Sequence, residues 1–148
     1  MPGDPFEGRK IFTVEAANAS LPLVRAIVTD LAQLSREVVE RRERLGLLLA
    51  GRERGAHDLY GEELSQIEEE LEKDSQRLQE YVEELRLLGV EPKNGPDGLV
   101  DFPARLEGRP IYLCWKLGES EVLHWHELDA GFRGRQQLVA GATAGRAD

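Results

Sequence analysis

The sequence predicts an α+β protein, in which a long antiparallel helical hairpin of the coiled-coil type precedes a small three-stranded antiparallel β-meander. Two observations carry this prediction. Apolar residues recur every three or four positions over about residues 21–89, the period of helices that pack on one another. Over about residues 98–128 the pattern changes to three short apolar runs separated by turn residues, which is typical of strands.

Composition and charge limit the classes of function. The chain has 148 residues, enough for one domain, which we assign to residues 1–137 with a disordered tail at 138–148. Its net charge of −9 argues against binding to nucleic acids or anionic membranes, because both are polyanions. A single cysteine allows no intramolecular disulfide, and no apolar run is long enough to cross a bilayer. We therefore expect a cytoplasmic protein.

The first helix has a recognisable start. Residues 1–10 are rich in proline, glycine and charge, and we expect them to be loose. Thr13 is a good N-cap, and Glu15 places a negative charge near the positive end of the helix dipole. Pro22 would disrupt a helix interior but is tolerated in a first turn, so we expect a kink or a restart near Ser20.

Two apolar seams define the hairpin, and each contains one charged residue. The seam of the first helix consists of Val24, Ile27, Leu31, Leu34, Val38, Arg41, Leu45 and Leu48. The seam of the second helix consists of Leu64, Ile67, Leu71, Asp74, Leu78, Tyr81, Leu85 and Leu88. Folding the chain back around residue 56 places Leu48 opposite Leu64 and sets Arg41 and Asp74 in adjacent layers, where they can pair. Gly89 then ends the second helix.

A hairpin of this length buries only one stripe of each helix. Apolar residues on its flanks need a further surface to cover them, among them Val28, Val39, Leu49 and Val82. The sequence therefore predicts a homodimer or a larger assembly, or a hairpin that docks a protein partner.

The C-terminal third predicts the β-meander. Residues 93–98 form a turn cluster, and strands are expected at 99–106, 110–117 and 121–128. Pro103 suggests that the first of these strands is an edge or carries a bulge, because proline donates no ladder hydrogen bond. We expect residues 129–137 to form a loop or a short turn.

The residues able to bind a metal ion or to move a proton are concentrated on this meander. Residues 113–127 hold the only cysteine, both tryptophans and two of the three histidines. His124 and His126 face the same side of a strand, and two imidazoles at this spacing can bind one divalent transition metal such as Zn²⁺. A metal site needs at least a third ligand, so the pair alone does not define one.

The strand register decides whether the cysteine contributes. A two-residue loop after the second strand puts Cys114 opposite Trp125. A three-residue loop instead puts Cys114 opposite His124 and Tyr112 opposite His126, on one face. Asp101 of the first strand can then complete a tetrahedral ligand set. The alternative is that the histidines face the helices or a subunit interface and are satisfied by hydrogen bonds, and that Cys114 is a buried small hydrophobe.

Charged residues that follow the histidines suggest a polar pocket. Glu127 and Asp129 are acid/base candidates, although strand geometry sends Glu127 to the face opposite His126. Arg133 and Arg135 lie on a glycine-containing loop, and guanidinium groups bind phosphate or carboxylate well. The alternative for the arginines is a pair of salt bridges to acidic helix residues.

The sequence resembles an uncharacterised bacterial family, domain of unknown function 2203. The resemblance rests mainly on GLVDFPARLEGRPIYLCWKLGESEVLHWHELDAGFRGRQ, residues 98–136, and also on FTVEAAN at 12–18 with Leu21-Pro22 after it. It covers about residues 11–137 and implies membership of the family, without implying an activity. The residues themselves leave two classes of function: a structural or protein-interaction module built on the hairpin, and a metal-binding protein or metal-dependent enzyme that uses the histidine region.

Overall fold

The computed structural model describes residues 3–51 and 61–138, and it shows the predicted α+β class. Two helices, α1 (Val14–Gly51) and α2 (Gly61–Leu87), precede an antiparallel sheet whose strands lie in chain order. The strands are β1 (Glu91–Asn94), β2 (Leu99–Leu106), β3 (Arg109–Lys116), β4 (His124–His126) and β5 (Gln136–Gln137). Neither described helix combines the length and apolar character needed to cross a membrane.

Helix α1 begins where the sequence predicts but has no restart. The Ala16 amide donates to Thr13 Oγ1 at 2.9 Å, which confirms the N-cap. The predicted restart near Ser20 is wrong, because α1 continues through Pro22 to Gly51. Proline removes a single backbone bond from this 38-residue helix, and burial of Leu21 and Val24 beside it offsets that loss.

Helix α2 ends in a Schellman motif at the predicted glycine. Gly89 has a φ of 86°, a left-handed conformation in which a side chain would be strained. Its amide donates to the Arg86 carbonyl at 2.9 Å, and the Val90 amide donates to the Leu85 carbonyl at 2.9 Å. Leu85 and Val90 are both fully buried, so the motif also fixes the direction in which the chain enters β1.

The two helices contact each other in the order of an antiparallel pair. Arg41 forms an ion pair with Asp74 at 2.5 Å, as the seam register predicts. Nearer the ends that face the connection, Leu48 packs in one cluster with Leu64 and Ile67. The connection itself, with the predicted fold-back at residue 56 and with His57, lies outside the described residues.

Truncating either member of the Arg41–Asp74 pair should destabilise the protein modestly. The Arg41 side chain is 32% exposed and the Asp74 side chain 14% exposed, so solvent weakens the attraction. We expect a double-mutant cycle with Arg41→Ala and Asp74→Ala, measured by urea unfolding, to give a coupling free energy of about 1 kcal/mol. The pair Arg77–Glu80, exposed on α2, is the control and should show a clearly smaller coupling. Equal couplings for the two pairs would contradict the prediction.

The sheet packs one face on the helices. Alternate residues of β2 and β3 point into the main core together with residues of α1 and α2. The sheet residues in this core are Val100, Phe102, Ala104, Ile111, Leu113 and Trp115. The opposite face therefore carries the intervening residues, among them Asp101 and Cys114, which the sequence singles out.

Pro103 lies on a side of β2 that β1 does not reach. The strand lies between β1 and β3 rather than at the edge of the sheet, but β1 pairs with it only at residues 99–101. The Pro103 carbonyl accepts a hydrogen bond from the Phe12 amide at 2.7 Å. The N–H that proline lacks would point to this same side, so its absence leaves the β2–β3 ladder intact.

The sequence predicts fewer strands than the sheet contains. The predicted count of three strands is wrong, because β1 includes Lys93 and Asn94 of the predicted turn cluster, and β5 lies within the predicted loop 129–137. Strand β4 spans only three residues of the predicted 121–128. Within the N-terminal segment, Phe6 is buried and packs against Tyr112 of β3. Of the predicted disordered tail, residues 139–148 lie outside the described residues.

Candidate functional site

The candidate site lies on the sheet face that points away from the helices. The observed register places Cys114 opposite both Asp101 of β2 and His124 of β4. Tyr112 lies opposite His126. This is the register that the three-residue-loop alternative predicts, so a thiol, a carboxylate and two imidazoles share one face.

Three of these side chains converge. The Asp101 carboxylate, the Cys114 sulfur and an imidazole nitrogen of His126 lie within 4.8 Å of one another, and all three residues are buried. They come from three adjacent strands, so the rigid ladders of β2, β3 and β4 fix their separation. We call these three residues the thiol–imidazole–carboxylate cluster.

Both ring nitrogens of His126 have partners. Its Nδ1 lies 2.6 Å from the Glu127 carbonyl oxygen, which can only accept, so Nδ1 carries a proton. Its Nε2 lies 3.0 Å from Asp101 Oδ1, and one proton is shared across that contact. Burial alone would lower the pKa of His126, but the hydrogen bonds to Asp101 and to the Glu127 carbonyl outweigh it and raise that pKa.

The surroundings of Cys114 favour the protonated form of its thiol. Burial raises its pKa to about 12, and the neighbouring Asp101 carboxylate adds to this effect. A cysteine in this environment is a poor nucleophile, because the reactive species is the thiolate. A bound cation would reverse the balance, since a coordinating thiol loses its proton.

A second polar group lies beside the cluster. Arg135 Nη2 donates to both carboxylate oxygens of Glu119, at 2.8 and 2.7 Å, and to His124 Nδ1 at 2.6 Å. Glu119 is itself held by the Lys116 amide, which donates to its Oε1 at 2.7 Å. His124 is thus directed toward this arginine–glutamate pair rather than into the cluster.

Aromatic side chains cover the same face. The Phe6 ring packs edge-on against Tyr112, with centroids 5.3 Å apart, and Tyr112 in turn lies 5.6 Å from the His126 ring. Asp4 anchors this N-terminal cover through an ion pair with Arg105 at 2.6 Å. The cover excludes water from the cluster and so strengthens its electrostatic interactions.

The other predicted site residues have separate positions. The Glu127 side chain forms an ion pair with Arg109, and only its backbone carbonyl takes part in the site. Asp129 is exposed, and no hydrogen bond or ion pair with another described residue involves it. Arg133 is exposed, whereas the charge of Arg135 is already compensated by Glu119. Anion binding by the two arginines therefore stays a prediction.

Sequence reasoning missed two contributors to the site. Glu119 lies in a short turn between strands, where an acidic residue is common and carries no special signal. Phe6 is an isolated aromatic residue in a segment rich in proline, glycine and charge, and that contrast was the available signal. Both are brought to the site by contacts distant in sequence or by turn geometry, which periodicity does not show.

Fold and site together define a class: an α+β protein whose sheet carries a buried thiol–imidazole–carboxylate cluster on the face opposite its helices. The chain belongs to the DUF2203 family, whose model, described as "Uncharacterized conserved protein (DUF2203)", matches residues 10–138. This confirms the resemblance seen in the sequence. No curated protein and no solved structure matches the chain.

Proposed function

We propose that this protein binds a divalent transition metal ion, with Zn²⁺ as the best candidate, through Asp101, Cys114 and His126. The observation that supports the proposal is the convergence of three buried ligand atoms within 4.8 Å on three adjacent strands. Ligands around a tetrahedral zinc ion are separated by roughly 3.3–3.8 Å, given metal–ligand distances near 2.0–2.3 Å. Small side-chain rotations can close the remaining gap.

The chemistry of the ligand set favours zinc over other common cations. A thiolate and an imidazole are ligands of soft or borderline metals, whereas Mg²⁺ and Ca²⁺ prefer oxygen alone. The hydrogen bond from His126 Nδ1 to a backbone carbonyl is the usual way in which a metal-binding histidine is oriented. It leaves Nε2 as the coordinating atom, on the side that faces Asp101.

Charge balance also supports a divalent ion. The Asp101 carboxylate and the Cys114 thiolate together carry two negative charges when both are ionised, which a divalent cation neutralises. Without a cation, the buried cluster must keep protons on Cys114 and between His126 and Asp101. Metal binding therefore replaces protons, and the affinity should rise with pH.

Metal loading is the direct test. Protein purified without an affinity tag and analysed for metal by mass spectrometry should contain close to one zinc ion per chain, or should take up one on titration. Cobalt in place of zinc should give a thiolate-to-cobalt charge-transfer band. Cys114→Ser keeps the size and polarity of the side chain and should lose that band. A chain that takes up neither ion contradicts the proposal.

A second candidate function is a protein-interaction module built on a long antiparallel helical hairpin, with a second copy of the chain as partner. The Leu48–Leu64–Ile67 cluster is separate from the main core, so the distal part of the helices packs apart from the core that includes the sheet. On this part of α1, Leu47 and Leu49 are 67% and 43% exposed. Coverage by a second copy would remove this apolar surface from water.

Light scattering tests the second candidate. We expect a homodimer at micromolar concentration, and we expect Leu47→Glu with Leu49→Glu to yield a folded monomer. A matched double substitution of exposed polar residues on the same helix, Glu40→Gln with Glu43→Gln, should leave the mass unchanged. A wild-type monomer at high micromolar concentration would exclude this candidate and would leave the metal-binding proposal untouched.

For either function we propose a cytoplasmic location, since a reducing compartment keeps Cys114 as a thiol.

A further inference from the structure

His124 lies next to the cluster, and its Nδ1 has a lone pair that can bind a metal ion. It lies directly across from Cys114, on the same face of the sheet. Its Nδ1 receives a hydrogen bond from Arg135 Nη2 at 2.6 Å. A guanidinium group can only donate, so this nitrogen carries no proton and presents its lone pair. A metal ion requires this same neutral imidazole.

Arg135 can release His124 and still keep its ion pair. Its Nη2 faces three acceptors, namely the two Glu119 oxygens and His124 Nδ1. The two Glu119 oxygens belong to one carboxylate, so one N–H is shared between them, at 2.8 and 2.7 Å, while the other N–H donates to His124. If the imidazole moves, Arg135 gives up that one hydrogen bond, and the Arg135–Glu119 pair remains.

We propose that metal binding transfers His124 from Arg135 to the metal ion, so that its Nδ1 becomes the fourth ligand beside Asp101, Cys114 and His126. This inference rests on the proposed metal-binding function. Side chains directly opposite on neighbouring antiparallel strands have Cβ atoms about 4.5–5.5 Å apart, so rotation of the His124 side chain suffices and the backbone need not move. Before the metal ion binds, Arg135 holds His124 beside the cluster by a hydrogen bond, and Glu119 in turn holds Arg135 by an ion pair.

The number of protein ligands decides which kind of site this is. Three protein ligands would leave a coordination position open for water or substrate, as in catalytic zinc sites. Four protein ligands close the coordination sphere, as in structural sites. A closed site would cross-link β2, β3 and β4 on the face that the helices do not support, and its role would be to stabilise the sheet.

Cadmium NMR identifies the ligands one by one. The probe is the full-length protein loaded with an NMR-active cadmium isotope. Its histidine side chains carry an NMR-active nitrogen isotope. We expect scalar coupling from cadmium to the Cys114 side chain, to His126 Nε2 and to His124 Nδ1. Coupling to Cys114 and His126 with the His124 signals unchanged would overturn the four-ligand inference and leave metal binding standing. A protein that takes up no cadmium overturns both.

Affinity measurements provide an independent test. His124→Ala should weaken zinc binding by roughly 100-fold or more, because a direct ligand contributes at least as much as the outer-shell groups that orient ligands. Gln137→Ala changes the residue paired with His124 on β5 and should have no effect. The double variant Glu119→Gln/Arg135→Met removes the competing donor and should bind zinc up to about tenfold more tightly. Unchanged or weaker binding by that variant, relative to an Arg133→Met control, would count against the transfer.

Discussion

The double substitution His124→Ala/His126→Ala should abolish zinc uptake while leaving the helical content unchanged. His126 supplies a nitrogen of the cluster and His124 lies in the adjacent position on the same face. Loss of both imidazoles leaves at most the Asp101 carboxylate and the Cys114 thiol, too few ligands for a specific zinc site. We expect a loss of affinity of at least 1,000-fold, on the order of 4 kcal/mol. Equilibrium dialysis with metal analysis measures the first effect, and far-ultraviolet circular dichroism measures the second.

The helices should survive this change because of where they pack. Their core contacts lie on the opposite face of the sheet, through residues such as Phe102, Leu113 and Trp115. The control is Gln136→Ala/Gln137→Ala on β5, which removes two exposed polar side chains next to the same strand. If the histidine double variant binds zinc as tightly as this control, the cluster is only a hydrogen-bonded part of the core.

Periodicity predicts those features of the fold that depend on continuous patterns. The seams that place Arg41 beside Asp74 extend over many turns, so one register satisfies far more apolar contacts than any other. The end of α2 at Gly89 is equally local, because a left-handed residue at a helix end favours glycine strongly. These features are set by residues close to one another in sequence or by long repeats.

Short strands and covering segments could not be predicted in this way. Strand β5 contains two glutamines, and β1 begins with a charged residue followed by a proline, so neither shows an apolar alternation. Their pairing is determined by the neighbouring strand. Phe6 likewise packs against Tyr112 of β3, a residue far away in the sequence. Tertiary context decides such elements, and local propensity carries little information about them.

The sequence predicted which residues form the candidate site, but not that His126 contacts Asp101 while His124 contacts Arg135. Of the two registers that the sequence left open, the three-residue-loop register places Asp101, Cys114 and both histidines on one face, and the observed register is that one. The pairing of Arg135 with Glu119 is a contact between two loops, and it draws His124 toward itself. Only the folded structure shows that Arg135 and the cluster can both attract His124.

Raising the pH above 9 should destabilise the metal-free protein through Cys114. The pKa of this thiol rises from an ordinary 9.0 to about 12 on folding, because the residue is buried next to Asp101. Between these two values the unfolded chain loses the thiol proton and the folded chain keeps it. The unfolded state then binds fewer protons, so the free energy of unfolding falls with pH, by at most about 1.4 kcal/mol per pH unit.

Cys114→Ser isolates this effect from the lysines and tyrosines that titrate in the same range. The hydroxyl is close in size to the thiol, can still donate to Asp101 and does not ionise in this range. Urea unfolding at intervals from pH 8 to pH 11 should show a steeper loss of stability for the wild type than for the variant. Saturating zinc should remove the excess slope, because a coordinated sulfur is already deprotonated in the folded state. Parallel curves for the metal-free proteins would show instead that the Cys114 environment accommodates the thiolate, and the sulfur would then be a far more reactive group than its burial indicates.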